Sequence, residues 1–259
     1  MSLRRFAASH PERASRVAVW LLGAGQTLVW ACLFYVFAAL LLTWEQTLGW
    51  PKTDLTLGLT VAILAAAITS PVAGRVIDAG YGRLALGGGA AVGAIALAGL
   101  IFARTPEAYI AIWAVIGATQ GFCLYEPCFS VVTRAKGADA RPAITHITLM
   151  AGFASPIGFM SAAALVALAD WQTAILAFAV TTACLAAPML YSGAVLLEAA
   201  SGTVTHPEAK AQNRAAVRAA IKRPQFWLIA LAFPLMAMNH GMLLNHIMPL
   251  LAERDIAKT

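Results

Sequence analysis

Long stretches without charge constrain this chain more than any other feature. No Asp, Glu, Lys or Arg occurs between Arg16 and Glu45, between Asp54 and Arg75, or between Arg83 and Arg104. Glu107 to Arg134 holds a single charge, Glu126, and further free stretches run from Arg141 to Asp170, Asp170 to Glu198 and Arg223 to Glu253. A bilayer core of about 30 Å needs about 20 helical residues, and each stretch supplies them. Backbone polar groups in lipid must be satisfied within the segment, so these stretches are helices, not open strands. The spacing predicts an all-α membrane protein with seven transmembrane helices.

Composition supports that class, with 60% apolar and 12% charged residues against roughly 45–50% and about 25% in soluble domains. The net charge of +6 would suit nucleic acid only if the basic residues clustered on one folded face among aromatics. Here they punctuate apolar runs, which speaks against nucleic-acid binding. Cys32, Cys123, Cys128 and Cys184 lie inside apolar runs and match no metal or CxxC spacing. They read as small buried hydrophobes, and no metal or cofactor is implied. The first span is not a signal peptide, because its apolar core from Val17 to Leu42 far exceeds the roughly 7–15 residues of a signal core.

Loop charge sets an orientation. With the N-terminus in the cytoplasm, fourteen Lys and Arg fall inside, among them Arg4, Arg5, Arg75, Arg83, Arg134 and Arg141. Only Lys52, Arg104, Arg254 and Lys258 fall outside, a clear positive-inside bias. Residues 198–225 form a long polar linker in which Lys210, Arg214, Arg218 and Lys222 recur every four residues. A helix there would carry one basic stripe, suited either to the anionic inner leaflet or to solvent, with Thr205 and Glu208 at capping-box spacing. The domains expected are residues 1–197, a six-helix membrane domain, the linker 198–225, and 226–259, the first helix of an incomplete second domain. Trp227-Leu228-Ile229 answers Trp20-Leu21-Leu22, as a parallel repeat requires. The second half would then start near residue 225 and stop short at Thr259.

The loop Gly74-Arg-Val-Ile-Asp78-Ala-Gly-Tyr-Gly82-Arg83 resembles the signature between the second and third spans of the major facilitator superfamily. Ala79 stands where that signature has a basic residue, and one extra residue precedes Gly82. The resemblance covers the whole chain and implies a six-helix bundle of 3+3 inverted repeats plus a seventh helix opening a second bundle. It implies that Gly74, Asp78, Gly82 and Arg83 form a gating loop, with Gly74 allowing close helix approach and Asp78 facing a helix N-terminus or pairing with Arg83. A second signature, an Arg before Gln-Gly in span four, is half present: Gln120-Gly121 occurs, but Gly117 replaces the Arg. The arginine tied to proton coupling in drug antiporters is therefore missing. Gly117 with Gly121, and Gly89 with Gly93, have the spacing of helix contact faces. In span five, Gly152-Phe-Ala-Ser155-Pro156-Ile-Gly158 reads as a bend with tight packing. Together with Leu124-Tyr125-Glu126-Pro127 and Ile147-Thr148-Leu149, the first four of these residues resemble a bacterial branch near the monocarboxylate and oxalate/formate transporters.

Polar residues inside spans are costly and mark function by default. Glu126 lies eight residues from Arg134, ~12 Å deep at about 1.5 Å per residue. It is a candidate proton carrier, or a partner of a cation or of His146; a structural hydrogen bond is the alternative. Because the family lines its cavity with spans one, four, five and seven, Gln26, Tyr35, Gln120, Tyr125 and Glu126 are pathway candidates, joined by His240 in span seven. No HExxH, GxSxG, Walker A or GxGxxG pattern occurs, so an enzyme is not expected. A retinal protein would need a lysine in its last span, and none lies between Arg223 and Glu253. The expected function is secondary transport of a small organic solute by alternating access, with a carboxylate substrate and proton coupling as finer expectations. The lipid bilayer, the solute and protons are the partners, and the setting is a bacterial inner membrane. The alternative is a truncated membrane protein with a structural or regulatory role.

Overall fold

The structure, a computed structural model, describes residues 3–201 continuously, and beyond them residues 219, 221–228, 230–232, 235–236 and 239. The chain divides into two compact units, Met1–Thr203 and Val204–Thr259. Among the described residues every regular element is helical, and no strand occurs.

Four helical runs are long and apolar enough to cross a membrane: Pro11–Leu48, Lys52–Phe102, Pro106–Leu168 and Trp171–Ser201. A short helix α1 (Leu3–Ser9), which the charge pattern gave no reason to expect, precedes them. The first run holds α2 (Pro11–Val29), a π-helical turn at Trp30–Phe34 and α3 (Tyr35–Leu48), ending on Gly49 at φ 67°. The second holds α4 (Lys52–Val76) and α5 (Gly82–Gly99). The third holds α6 (Pro106–Cys123), α7 (Tyr125–Lys136), α8 (Ala140–Ala151) and α9 (Ala154–Leu168). The fourth holds α10 (Trp171–Thr181), a π turn at Thr182–Ala186 and α11 (Ala187–Ser201).

The second and third runs, at 51 and 63 residues, are far longer than one bilayer crossing of about 20 residues. Left-handed glycines interrupt both, Gly80 at φ 92° and Gly137 at φ 56°. Only glycine takes this backbone without a Cβ penalty. Helix starts are also sequence-coded. Thr105 sits in extended backbone before Pro106, and its Oγ1 accepts from Ala108 N at 3.3 Å. Asp170 Oδ1 accepts from Thr173 N at 2.6 Å and caps α10, and these bonds hold its carboxyl below the usual range.

Within the first unit α2 packs mainly on α11 and α8, α4 on α6, and α5 on α6 and α11. Small residues make the α4–α6 contact close. A Cβ on Gly117 would run into the backbone of Ala62, and one on Gly121 would meet Thr69 and, at 2.8 Å, Ala66 O. Thr69 Oγ1 donates across the seam to Ala118 O at 3.0 Å. Lipid does not drive helices together hydrophobically, so close backbone approach and interhelical hydrogen bonds carry the association. The outer surface is apolar: Ile68, Ile95, Met160 and Leu168 are 74, 73, 73 and 84% exposed. An exposed apolar surface this extensive fits contact with hydrocarbon. At one end of the unit Trp44, Trp50, Tyr109 and Trp171 cluster beside the fully buried Trp113.

Candidate functional site

The site grows from a break in the third run. Leu124 leaves helical backbone at φ −79°, ψ −158°, so α6 ends at Cys123 and α7 begins at Tyr125. Pro127 has no N–H to give the carbonyl four residues back, which is that of Cys123. Gln26, fully buried on α2, replaces it: Nε2 donates to Cys123 O at 2.8 Å and to Leu124 O at 3.4 Å. A reciprocal bond runs the other way. The widened π turn of the first run presents Leu33 O, and the buried Gln120 Nε2 donates to it at 2.8 Å. Each glutamine thus satisfies irregular backbone on the other run, a condition for such backbone inside lipid.

Aromatic rings surround this double clamp. The Trp30 ring lies 4.7 Å from Tyr125, 4.8 Å from Phe34 and 6.1 Å from Tyr35. Tyr125 stacks on Phe129 at 5.1 Å, and Tyr35 approaches Phe159 of α9 at 6.2 Å. Gly158 permits that approach, since a Cβ there would sit 3.1 Å from Ala31 O. All six rings are half-buried, and Glu126, next to Tyr125 in the chain, is exposed. Its position in the first turn of α7 places a carboxylate at the positive end of a half-helix. Trp30 Nε1 and Gln26 Oε1 are buried and accept or donate no hydrogen bond among the described residues. His146, an expected partner of Glu126, instead meets Trp20 edge-on at 4.5 Å; among the described residues no ion pair joins it to Glu126.

The signature loop takes a different form from the one expected. It is a kinked turn over Ile77–Tyr81, broken at Gly80 (φ 92°), with Asp78 exposed. Arg83 pairs not with Asp78 but with Glu198 of α11, at 3.5 Å. Arg134 of α7 clasps the loop backbone, with NH1 donating to Ile77 O at 2.8 Å and Asp78 O at 2.6 Å. Gly74 has no neighbour within 4 Å of a notional Cβ, so close helix approach there is not its role in this structure. Gly82 has that role, because a Cβ would lie 2.7 Å from both Glu198 Oε1 and Val131 Cγ2.

Of the expected pathway residues, Gln26, Tyr35, Gln120, Tyr125 and Glu126 come together around the clamp. His240 lies outside the described residues, as does the basic stripe from Lys210 to Arg218. Sequence reasoning missed the rings of Phe34, Phe129 and Phe159, and the clasp of Arg134. The signal for Arg134 was its place at the end of the span whose loop partners carry the glycines. The cysteines are free, with Cys184 exposed rather than buried as expected. Among the described residues no group of His, Cys, Asp and Glu could hold a metal.

Comparison with known proteins adds one match. The model of the Major Facilitator Superfamily fits residues 19–257. No curated protein and no solved structure matches the chain. The family model runs from within α2 to beyond the described residues, covering both the clamp and the signature loop. The chain belongs to the Major Facilitator Superfamily, and is an integral membrane protein that transports small solutes.

Proposed function

We propose that this chain is a proton-coupled secondary transporter of a small organic solute, working by alternating access around the clamp, with Glu126 as the proton carrier. The observation that supports this reading most is the exposed carboxylate at the helix break. An ionisable group at this depth is tolerated where it faces water or a partner, and a discontinuous helix is how such transporters build midplane sites. Six spans in 3+3 inverted repeats over 1–197, a cytoplasmic linker at 198–225 and a first helix of a second bundle at 226–259 complete the reading. The setting is a bacterial inner membrane with the N-terminus in the cytoplasm. The convergence of Arg83, Arg134 and Glu198 supports one shared end for the loops assigned to the cytoplasm. Gly74, Asp78, Gly82 and Arg83 act as the gate, with Gly82 as its close contact.

A carboxylate substrate rests on the branch resemblance alone, and Glu126, the one charge between Glu107 and Arg134, weighs against it. The test is uptake from a solute library into proteoliposomes under an imposed pH gradient. Wild-type uptake should rise with the gradient, and Glu126→Gln should abolish that pH dependence while the protein still inserts. Uptake in Glu126→Gln equal to wild type at every pH would sink the proposal.

A further inference from the structure

The first residues of the chain fold onto the bundle and leave a basic surface outside. α1 packs on α11 and α2, with Ala7 fully buried and Phe6 half-buried. His10 joins α1 to Pro11 of α2, and its ring stacks on Phe6 at 5.7 Å. Arg4, Arg5, Arg13 and Arg16 are all exposed. Residues 1–44 hold a single carboxylate, Glu12. Among the described residues none of the four guanidinium groups has an ion-pair partner. These are cations fixed on helices and left without counter-charge.

Below the arginines the same face turns apolar. Arg13, Arg16 and Trp20 are spaced by three and four residues, which places them on one face of α2. Val17 and Trp20 are 39 and 57% exposed. The edge-on contact with His146 at 4.5 Å fixes the indole in spite of that exposure. An ordered, open tryptophan one turn inside a pair of arginines matches the boundary between headgroups and hydrocarbon, where tryptophan concentrates.

The second unit repeats the pattern. Arg223 and Trp227, again four residues apart, are both exposed, and the Trp227 indole N–H donates to Ile221 O at 2.9 Å. Each unit has its own internal packing, so what the two helix entrances share is the surface of the bilayer.

We infer that the entrance of the first run binds anionic phospholipid. Arg4, Arg5, Arg13 and Arg16 receive the phosphate and neighbouring anionic headgroups, and Trp20 lies beside the glycerol and the upper acyl chain. Guanidinium suits this task, because its planar fork meets phosphate oxygens in pairs. The occupant is a lipid and not a soluble phosphate, since the arginines run straight into Val17 and Trp20, apolar surface that a free ion would leave wet. Bound lipid then holds α1 and the start of α2 in the headgroup layer of one leaflet.

The test uses the full chain in dodecyl maltoside micelles, with ligand-dependent thermal stabilisation as readout. Dioctanoyl phosphatidylglycerol is compared with dioctanoyl phosphatidylcholine, which has the same chains and no net charge, and with glycerol phosphate, which has no chains. The anionic lipid should stabilise at a concentration about tenfold lower than the zwitterionic one, and glycerol phosphate should not stabilise. Arg13→Gln/Arg16→Gln should abolish that preference. Arg75→Gln/Arg141→Gln, which removes two exposed arginines from other helices, should keep it. Arg13→Lys/Arg16→Lys should retain most of it, and Trp20→Ala should weaken both lipids alike. If Arg13→Gln/Arg16→Gln is not monodisperse, Arg4→Gln/Arg5→Gln carries the comparison. Equal response to the two lipids in the wild-type chain would overturn the inference. Equal loss in the two pairs of variants would overturn it in favour of overall charge, and stabilisation by glycerol phosphate matching the anionic lipid would overturn it in favour of a soluble anion.

Discussion

Replacing Gln26 by Leu tests the clamp directly. Gln26 is fully buried, and its amide nitrogen supplies the hydrogen bond that Pro127 cannot give to Cys123 O, at 2.8 Å. Leucine has a similar volume and no donor, so the carbonyl is left buried and unpaired. An unsatisfied buried backbone group costs about 1–3 kcal/mol. The replaced amide, whose oxygen has no partner, returns part of that when it is removed. A net loss of about 1–2 kcal/mol is expected for Gln26→Leu. The revealing experiment is the cycle with Pro127→Ala, because alanine supplies an N–H that would reach Cys123 O once α6 runs helically into α7. In that background Gln26→Leu should cost less, leaving a coupling of about 1 kcal/mol, well above the roughly 0.3–0.5 kcal/mol scatter of independent sites. Stability is read by titrating the micelle-solubilised protein with denaturant and following tryptophan fluorescence. Additivity within that scatter would refute the idea that Gln26 stands in for the missing N–H.

Two further perturbations follow from the same geometry. Gly117→Ala drives a Cβ into the Ala62 backbone, whereas Gly88→Ala meets nothing within 4 Å. Overpacking costs about 1–3 kcal/mol and alanine returns about 1 kcal/mol of helix propensity, so Gly117→Ala should lower Tm and Gly88→Ala should hold or raise it. Equal shifts in the two would remove the packing argument. Asp170, whose carboxyl is held below its ordinary range by Thr173 N, should contribute stability that is full above the unfolded pKa. That contribution is lost as pH falls through the lower folded value. The difference between wild type and Asp170→Ala should therefore be constant near neutrality and shrink under acid, while Asp170→Asn keeps a cap without the acid dependence. Thermal melts across pH check this, and a difference that widens on acidification contradicts it.

The membrane class was legible because charge exclusion is a property of composition along the chain, and lipid enforces it directly. Charge placed the spans but not their first residues, which local capping sets, as at Asp170 and at Thr105-Pro106. The π turns were not legible, because Trp30–Phe34 and Thr182–Ala186 contain no residue that requires a widened turn. They arise from fitting one helix against another, which is tertiary. Glu126 stood out from sequence as a lone charge, and Pro127 marked the place of the break. What sequence could not give was the pairing: Gln26 and Cys123 are far apart in the chain, and nothing local assigns the amide to that carbonyl. The same limit explains the loop. Arg83 had a nearby carboxylate in Asp78, yet it reaches Glu198, which only the packing of α5 on α11 brings close.

The clamp also separates two roles that a list of polar residues merges. Gln26 and Gln120 read from sequence as pathway residues, but both amide nitrogens are committed to backbone on the opposite run. They tie the first run to α6 and α7 as one body, and their exchange for apolar residues should act on stability before selectivity. Trp30, Tyr35, Tyr125 and Glu126 are positioned by that body without being consumed by it, since each keeps exposed surface. A rocking mechanism needs such a division, because a wall that must bind in two states has to move without changing shape. The helix break weakens the backbone at the site, and the crossed glutamines restore its rigidity. The carboxylate is left as the one charged group of that wall still free to change partners.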